Sequence, residues 1–131
     1  MRPLGYWIKE IDRRIEADFG RLFAEEGLSR RHWQVLDTVA RADISPGELD
    51  AALTPFAPTV RPQLDDLIHR GWAVEPRAGV VAITAVGRAA HDRVAGRVRS
   101  LRARVAEGLS EQEYATLVTL LERVAGNLTP A

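Results

Sequence analysis

Residues 45–84 read SPGELDAALTPFAPTVRPQLDDLIHRGWAVEPRAGVVAIT. The opening, Ser45-Pro46-Gly47-Glu48, is a helix start. Serine can cap, proline suits the first helical position, and glutamate three residues on completes a capping box. Thr54-Pro55-Phe56-Ala57-Pro58 breaks that helix after a short run. Thr59 to Arg70 reads as a further helix, with Val60, Leu64, Leu67 and Ile68 turned inward and Gly71 as its stop. Trp72–Arg77 and Val80–Ile83 then read as a hairpin with a tight turn at Ala78-Gly79, in which Pro76 needs an edge or non-bonded position.

Outward from this stretch the pattern is helical. Leu4, Ile8, Ile11, Ile15, Phe19 and Leu22 share one face of a helix from about Leu4 to Glu26, closed by Gly27. Ser29 caps a helix from about Arg30 to Ala42, with Trp33, Leu36, Val39 and Ala40 as its apolar face. After the hairpin, Thr84 caps a long helix to about Glu107, striped by Val94, Val98, Leu101 and Val105. Ser110-Glu111-Gln112-Glu113 is a second capping box, opening a helix that carries Leu117, Leu121, Val124 and Leu128 on one face. The expected fold is therefore mainly α with a small β-hairpin: a winged helix-turn-helix with long helices on both sides. One domain over 1–131 is expected. Its winged helix-turn-helix lobe spans 29–84, and helices at 1–27 and 85–131 pack against each other or against a second copy.

Composition narrows the function classes. The chain has 131 residues, 46% of them hydrophobic, which is enough for an ordinary packed core. It has no cysteine, which excludes disulfides, thiolate nucleophiles and cysteine-ligated zinc. No apolar run approaches a membrane span and no signal-peptide pattern is present, so a soluble cytoplasmic protein is expected. His32, His69 and His91 are scattered over different helices, with no phosphate loop or metal-ligand spacing, so neither an enzyme nor a cofactor is expected. Formal net charge is zero, so any case for nucleic acid rests on local geometry.

Several segments, in their order and spacing, resemble the MarR family of bacterial transcription regulators over nearly the whole chain. They are Leu28-Ser29-Arg30-Arg31-His32-Trp33-Gln34-Val35-Leu36, Glu48-Leu49, Leu64 to Trp72, and Ile83-Thr84-Ala85-Val86-Gly87. The resemblance implies a homodimer held by the first and last helices, bound to a roughly palindromic double-stranded DNA site. It also implies release by a small, often aromatic, ligand. The chain departs from the family where Pro62 and Asp66 stand at positions commonly basic, and at a wing clipped to Arg77-Ala78-Gly79-Val80.

Thr59, Arg61 and Gln63 sit in the first turn of the helix that should enter the major groove, with Pro58 just before them and Ser45 at the preceding helix start. Arginine can read guanine and glutamine adenine. Arg77 at the wing can meet the minor groove or a phosphate. With Val60, Leu64 and Leu67 inward, Pro62, Asp65, Asp66 and His69 are expected outward, where carboxylates oppose phosphate. Asp65, four residues after Arg61, can orient or neutralise it. Tyr6, Trp7, Ile11, His32 and Trp33 are the candidates for an aromatic-ligand site, against the alternative of core or dimer interface. The arginines of the long helix are expected on a solvated face or paired with acids such as Glu10, Asp12 and Glu16 of a second subunit. The competing function is a winged-helix dimer with weak or no DNA binding, acting through protein contacts or ligand sequestration.

Overall fold

The computed structural model describes residues 1–53, 59–77 and 79–130. Its helices are α1 (Leu4–Glu25), α2 (Arg30–Arg41), α3 (Pro46–Leu53), α4 (Arg61–His69), α5 (Ala85–Val105) and α6 (Glu111–Asn127), with strands β1 (Ala73–Arg77) and β2 (Val80–Ile83) between α4 and α5. This is the expected order, a winged helix-turn-helix with long helices on either side.

The start signals work as local chemistry demands. Ser110 Oγ accepts from Glu113 N at 3.0 Å, and Glu113 Oε1 accepts from Ser110 N at 2.9 Å. These hydrogen bonds, chiefly that from the Ser110 backbone, hold the Glu113 carboxyl below its ordinary range. At α2 the return partner is a histidine: Ser29 Oγ accepts from His32 N and His32 Nδ1 accepts from Ser29 N, both at 3.2 Å. At α3 the serine half forms, Glu48 N donating to Ser45 Oγ at 3.1 Å. The stops after α1 and α4 share one device. Gly27 and Gly71 have φ of +70° and +79°. Gly27 N and Leu28 N donate to Ala24 O and Phe23 O, while Gly71 N and Trp72 N donate to Ile68 O and Leu67 O. The left-handed glycine lets the chain fold back onto carbonyls that the helix leaves open.

Contacts divide the chain into two compact units, Met1–Val98 and Arg99–Ala131. In the first, α2 is central and meets α1, α3, α4 and β2. That position explains why Val35, outside the expected apolar stripe, is fully buried together with Leu36. Leu49, Val60, Leu64, Leu67, Val81 and Val94 are buried in the same core. In the second unit, Leu101 is buried, but Tyr114, Leu117, Val118, Leu120 and Leu121 of α6 remain exposed. The start of α1 is also exposed, at Leu4, Trp7, Ile8 and Ile11. No helix among the described residues is long and apolar enough to cross a membrane.

The hairpin is antiparallel, with Ala73 opposite Ile83, Val74 opposite Ala82 and Arg77 opposite Val80. Between the last two pairs the register shifts, so Glu75 and Pro76 together face the single residue Val81. Val81 bonds on its other side to Ile44, through Ile44 N to Val81 O at 3.1 Å and Val81 N to Ile44 O at 2.8 Å. β1 is thus an edge strand, and Pro76 has the irregular edge position that its missing N–H requires. The wing joins α5 tightly. Thr84 Oγ1 donates to Gly71 O at 2.6 Å and accepts from Gly87 N at 3.0 Å. A Cβ on Gly87 would lie 1.9 Å from the Trp72 carbonyl oxygen, so glycine is what lets α5 approach the wing.

Candidate nucleic-acid interface

The start of α4 is built from α3. Asp50 Oδ1 accepts from Val60 N at 2.7 Å, and Asp50 Oδ2 accepts from the Thr59 hydroxyl at 3.3 Å. Thr59 Oγ1 in turn accepts from Arg61 N at 3.1 Å. Thr59 is therefore exposed at the surface yet structurally engaged. The sequence reading missed Asp50, whose partners lie nine and ten residues away, beyond any local capping pattern.

Arg61 projects from the first turn of α4 and is held by two carboxylates. Its Nη2 donates to Glu75 Oε1 at 2.7 Å, and its Nε lies 2.8 Å from Asp65 Oδ1. The Glu75 bond, more than Asp65, raises the guanidinium above its ordinary pKa. Pro62 is exposed beside it, in the first turn where an amide has no helical bond to lose. Gln63 is half-buried, and its Oε1 is buried with no hydrogen-bond partner among the described residues. Arg77 is exposed on the wing. Ser45 is half-buried and spends its side chain on the α3 cap. Pro58 lies outside the described residues.

Asp66 does not face outward as expected. It is half-buried, with Oδ2 at 2.9 Å from both His32 Nε2 on α2 and Arg70 Nη2 on its own helix. Partial burial pushes its carboxyl up, but Arg70 and His32 outweigh this and hold it below its ordinary range. The reason is tertiary: Arg70 also donates to Gly27 O at 2.7 Å, so this face of α4 is stitched to the α1–α2 junction. Asp65, and not Asp66, is the carboxylate beside the α4 start.

The candidate ligand residues fall into separate groups. Tyr6 and Trp7 pack edge to face at 5.0 Å on exposed α1, with Arg2 over the Tyr6 ring at 4.7 Å. Ile11 is exposed on the same helix. Trp33 is in the core, stacked on Phe23 at 6.1 Å and on His91 at 5.1 Å. His32 sits in the Ser29–Asp66 network, next to an open depression lined by Ser29, Arg30, Arg31 and Gln34. Of the α5 arginines, Arg99, Arg102 and Arg104 are exposed as expected, while Arg93 and Arg97 differ. Arg93 reaches Glu26, and Arg97 reaches Glu25 and Glu26, all in the same chain. Glu10 is taken by Arg13 and Arg14 and Glu16 by Arg30, so these acids already have partners close in space.

No family model and no curated protein matches this sequence. Solved structures do. The reduced form of MarR from E. coli is 25% identical, with a TM-score of 0.71, over 95% of this chain and 94% of that one. A MarR family protein of Mycobacterium tuberculosis in complex with DNA is 25% identical, with a TM-score of 0.72, over 95% of this chain and 98% of that one. A cysteine-to-serine mutant of E. coli MarR complexed with operator DNA is 25% identical, with a TM-score of 0.70, over 93% of each chain. Over 93–95% of its length the chain is thus similar in fold to MarR-family structures, two of them solved on DNA.

Proposed function

We propose that this chain is a DNA-binding transcription regulator that acts as a homodimer on a roughly palindromic operator. The observation that carries the reading is that Arg61 at the start of α4 and Arg77 on the wing are both exposed, in a fold shared with relatives solved on DNA. In a winged helix-turn-helix these positions address the major groove and the flanking backbone or minor groove. The apolar side chains left exposed on α1 and α6, within residues 1–27 and 85–131, support dimerisation through those segments. Release by a small aromatic ligand belongs to the same reading, with Tyr6, Trp7, Ile11, His32 and Trp33 as the residues to test.

The test is a salt titration of binding to duplex DNA from the chain's own promoter, against random duplex. Specific binding steeper in salt than one or two ion pairs is expected, and Arg61→Ala should weaken it by about 1–3 kcal/mol. Affinity that never exceeds that for random DNA, even at low salt, would overturn the reading. One observation favours a second reading, a winged-helix dimer acting through protein contacts or ligand sequestration. Asp65 and Glu75 together outnumber the charge of Arg61 where phosphate should approach.

A further inference from the structure

We propose that Glu75 and Asp65 position Arg61 to read a guanine, so that the wing strand sets the base preference of the recognition helix. This rests on the DNA-binding reading above and adds a role for residues outside the groove-facing set. A guanidinium carries five N–H donors in a rigid planar fork. Glu75 takes one at Nη2 and Asp65 approaches Nε, while Nη1 has no partner among the described residues. The end of the fork, Nη1 with the second hydrogen of Nη2, stays available. Guanine presents two acceptors, N7 and O6, to that geometry in the major groove.

The two anchors come from different elements. Asp65 is one helical turn beyond Arg61 on α4. Glu75 reaches Arg61 from β1 at the point where the strand is bulged, Glu75 and Pro76 facing Val81 alone. A bulge re-aims side chains, and a proline that cannot donate to the ladder favours one there. A side chain held in place before binding loses less rotamer freedom on docking. The cost is charge: two carboxylates on one guanidinium leave the trio at net −1, which repels phosphate. The arrangement trades bulk affinity for base choice.

That trade separates positioning from simple neutralisation or a structural role. A randomised duplex pool is selected with the wild-type chain and with Arg61→Ala, Glu75→Gln and Asp65→Asn, followed by binding to the selected duplex carrying guanine or 7-deazaguanine. Poly(dA-dT) reports bulk affinity. The wild type is expected to enrich a guanine in each half-site and to lose about tenfold in affinity on removal of N7. Arg61→Ala should be indifferent to that removal. Glu75→Gln and Asp65→Asn should lose most of the guanine preference while binding poly(dA-dT) more tightly. Wild-type guanine preference retained in Glu75→Gln overturns the proposal, as does a wild type that enriches no guanine or ignores loss of N7. Duplex retention without any enriched sequence overturns it and leaves DNA binding standing. A wild-type chain that retains no duplex at low salt overturns both.

Discussion

Helices α2 and α6 begin alike and end up in opposite surroundings. Each opens on a serine whose hydroxyl and amide are both answered from three residues on. Yet α2 buries Trp33, Val35, Leu36 and Val39, while α6 buries no residue and leaves Leu117, Leu120 and Leu121 exposed at 45%, 47% and 38%. Local capping decides where a helix starts and says nothing about what covers it. The unit around α2 closes upon itself through the chain's own contacts. The apolar surface of α6 is the kind that a second copy covers in a stable dimer.

The sharpest way to break this contrast is in the α2 core. Leu36→Ala should cost roughly 2–5 kcal/mol in urea unfolding, because a fully buried side chain is removed among neighbours that relax only in part. A loss under about 1 kcal/mol would mean that α2 is not the centre of the fold. Gly87→Ala should follow at about 1–3 kcal/mol, since the new methyl meets backbone and not a yielding side chain. It should also shift the amide resonances of Trp72 and Thr84, which share hydrogen bonds across that junction.

On α6 the expectation reverses. Leu117→Glu should change the stability of the dilute chain by no more than about 0.5 kcal/mol, as exposed substitutions do. It should nevertheless halve the mass measured by light scattering at concentrations where the wild type is a dimer. A variant that keeps the wild-type dimer mass would remove α6 from the interface.

The smallest effect concerns the ion pairs between α1 and α5. The Arg97 hydrogen bond, joined by Arg93 and opposed by desolvation, holds the Glu26 carboxyl below its ordinary value of 4.5. A carboxyl depressed in the folded state stabilises above its unfolded pKa, and the gain is lost as pH falls through the folded one. Glu26→Gln should therefore flatten the decline of melting temperature below about pH 4.5 while changing little at neutral pH. An unaltered acid slope would mean that the pair contributes nothing.

What the sequence disclosed and what it hid divide by range. The serine caps, the Gly27 and Gly71 stops and the Arg61–Asp65 pair act over three to five residues, so their chemistry is readable in order along the chain. Arg61–Glu75 spans fourteen residues, Arg93–Glu26 sixty-seven and Arg97–Glu25 seventy-two, and no periodicity records them. Asp66 shows the consequence. A helical wheel anchored on Val60, Leu64 and Leu67 turns it to solvent. His32 and Arg70 instead draw it into the junction with α2, so a carboxylate read as an obstacle to DNA is a structural tie. Trp33 likewise reads as either pocket or core by type alone, and its stacking on Phe23 and His91 depends on helices distant in sequence.

The wing's irregular edge also bears on solubility. A two-stranded ribbon with one open side is a template on which another chain can add a strand, and long regular edges recruit aggregates in that way. Here β1 carries a bulge, a proline with no hydrogen to donate and charged residues at Glu75 and Arg77. Its backbone offers no continuous ladder to a newcomer. The same short stretch that presents Glu75 to Arg61 thus gives the wing an edge poorly suited to adding a further strand.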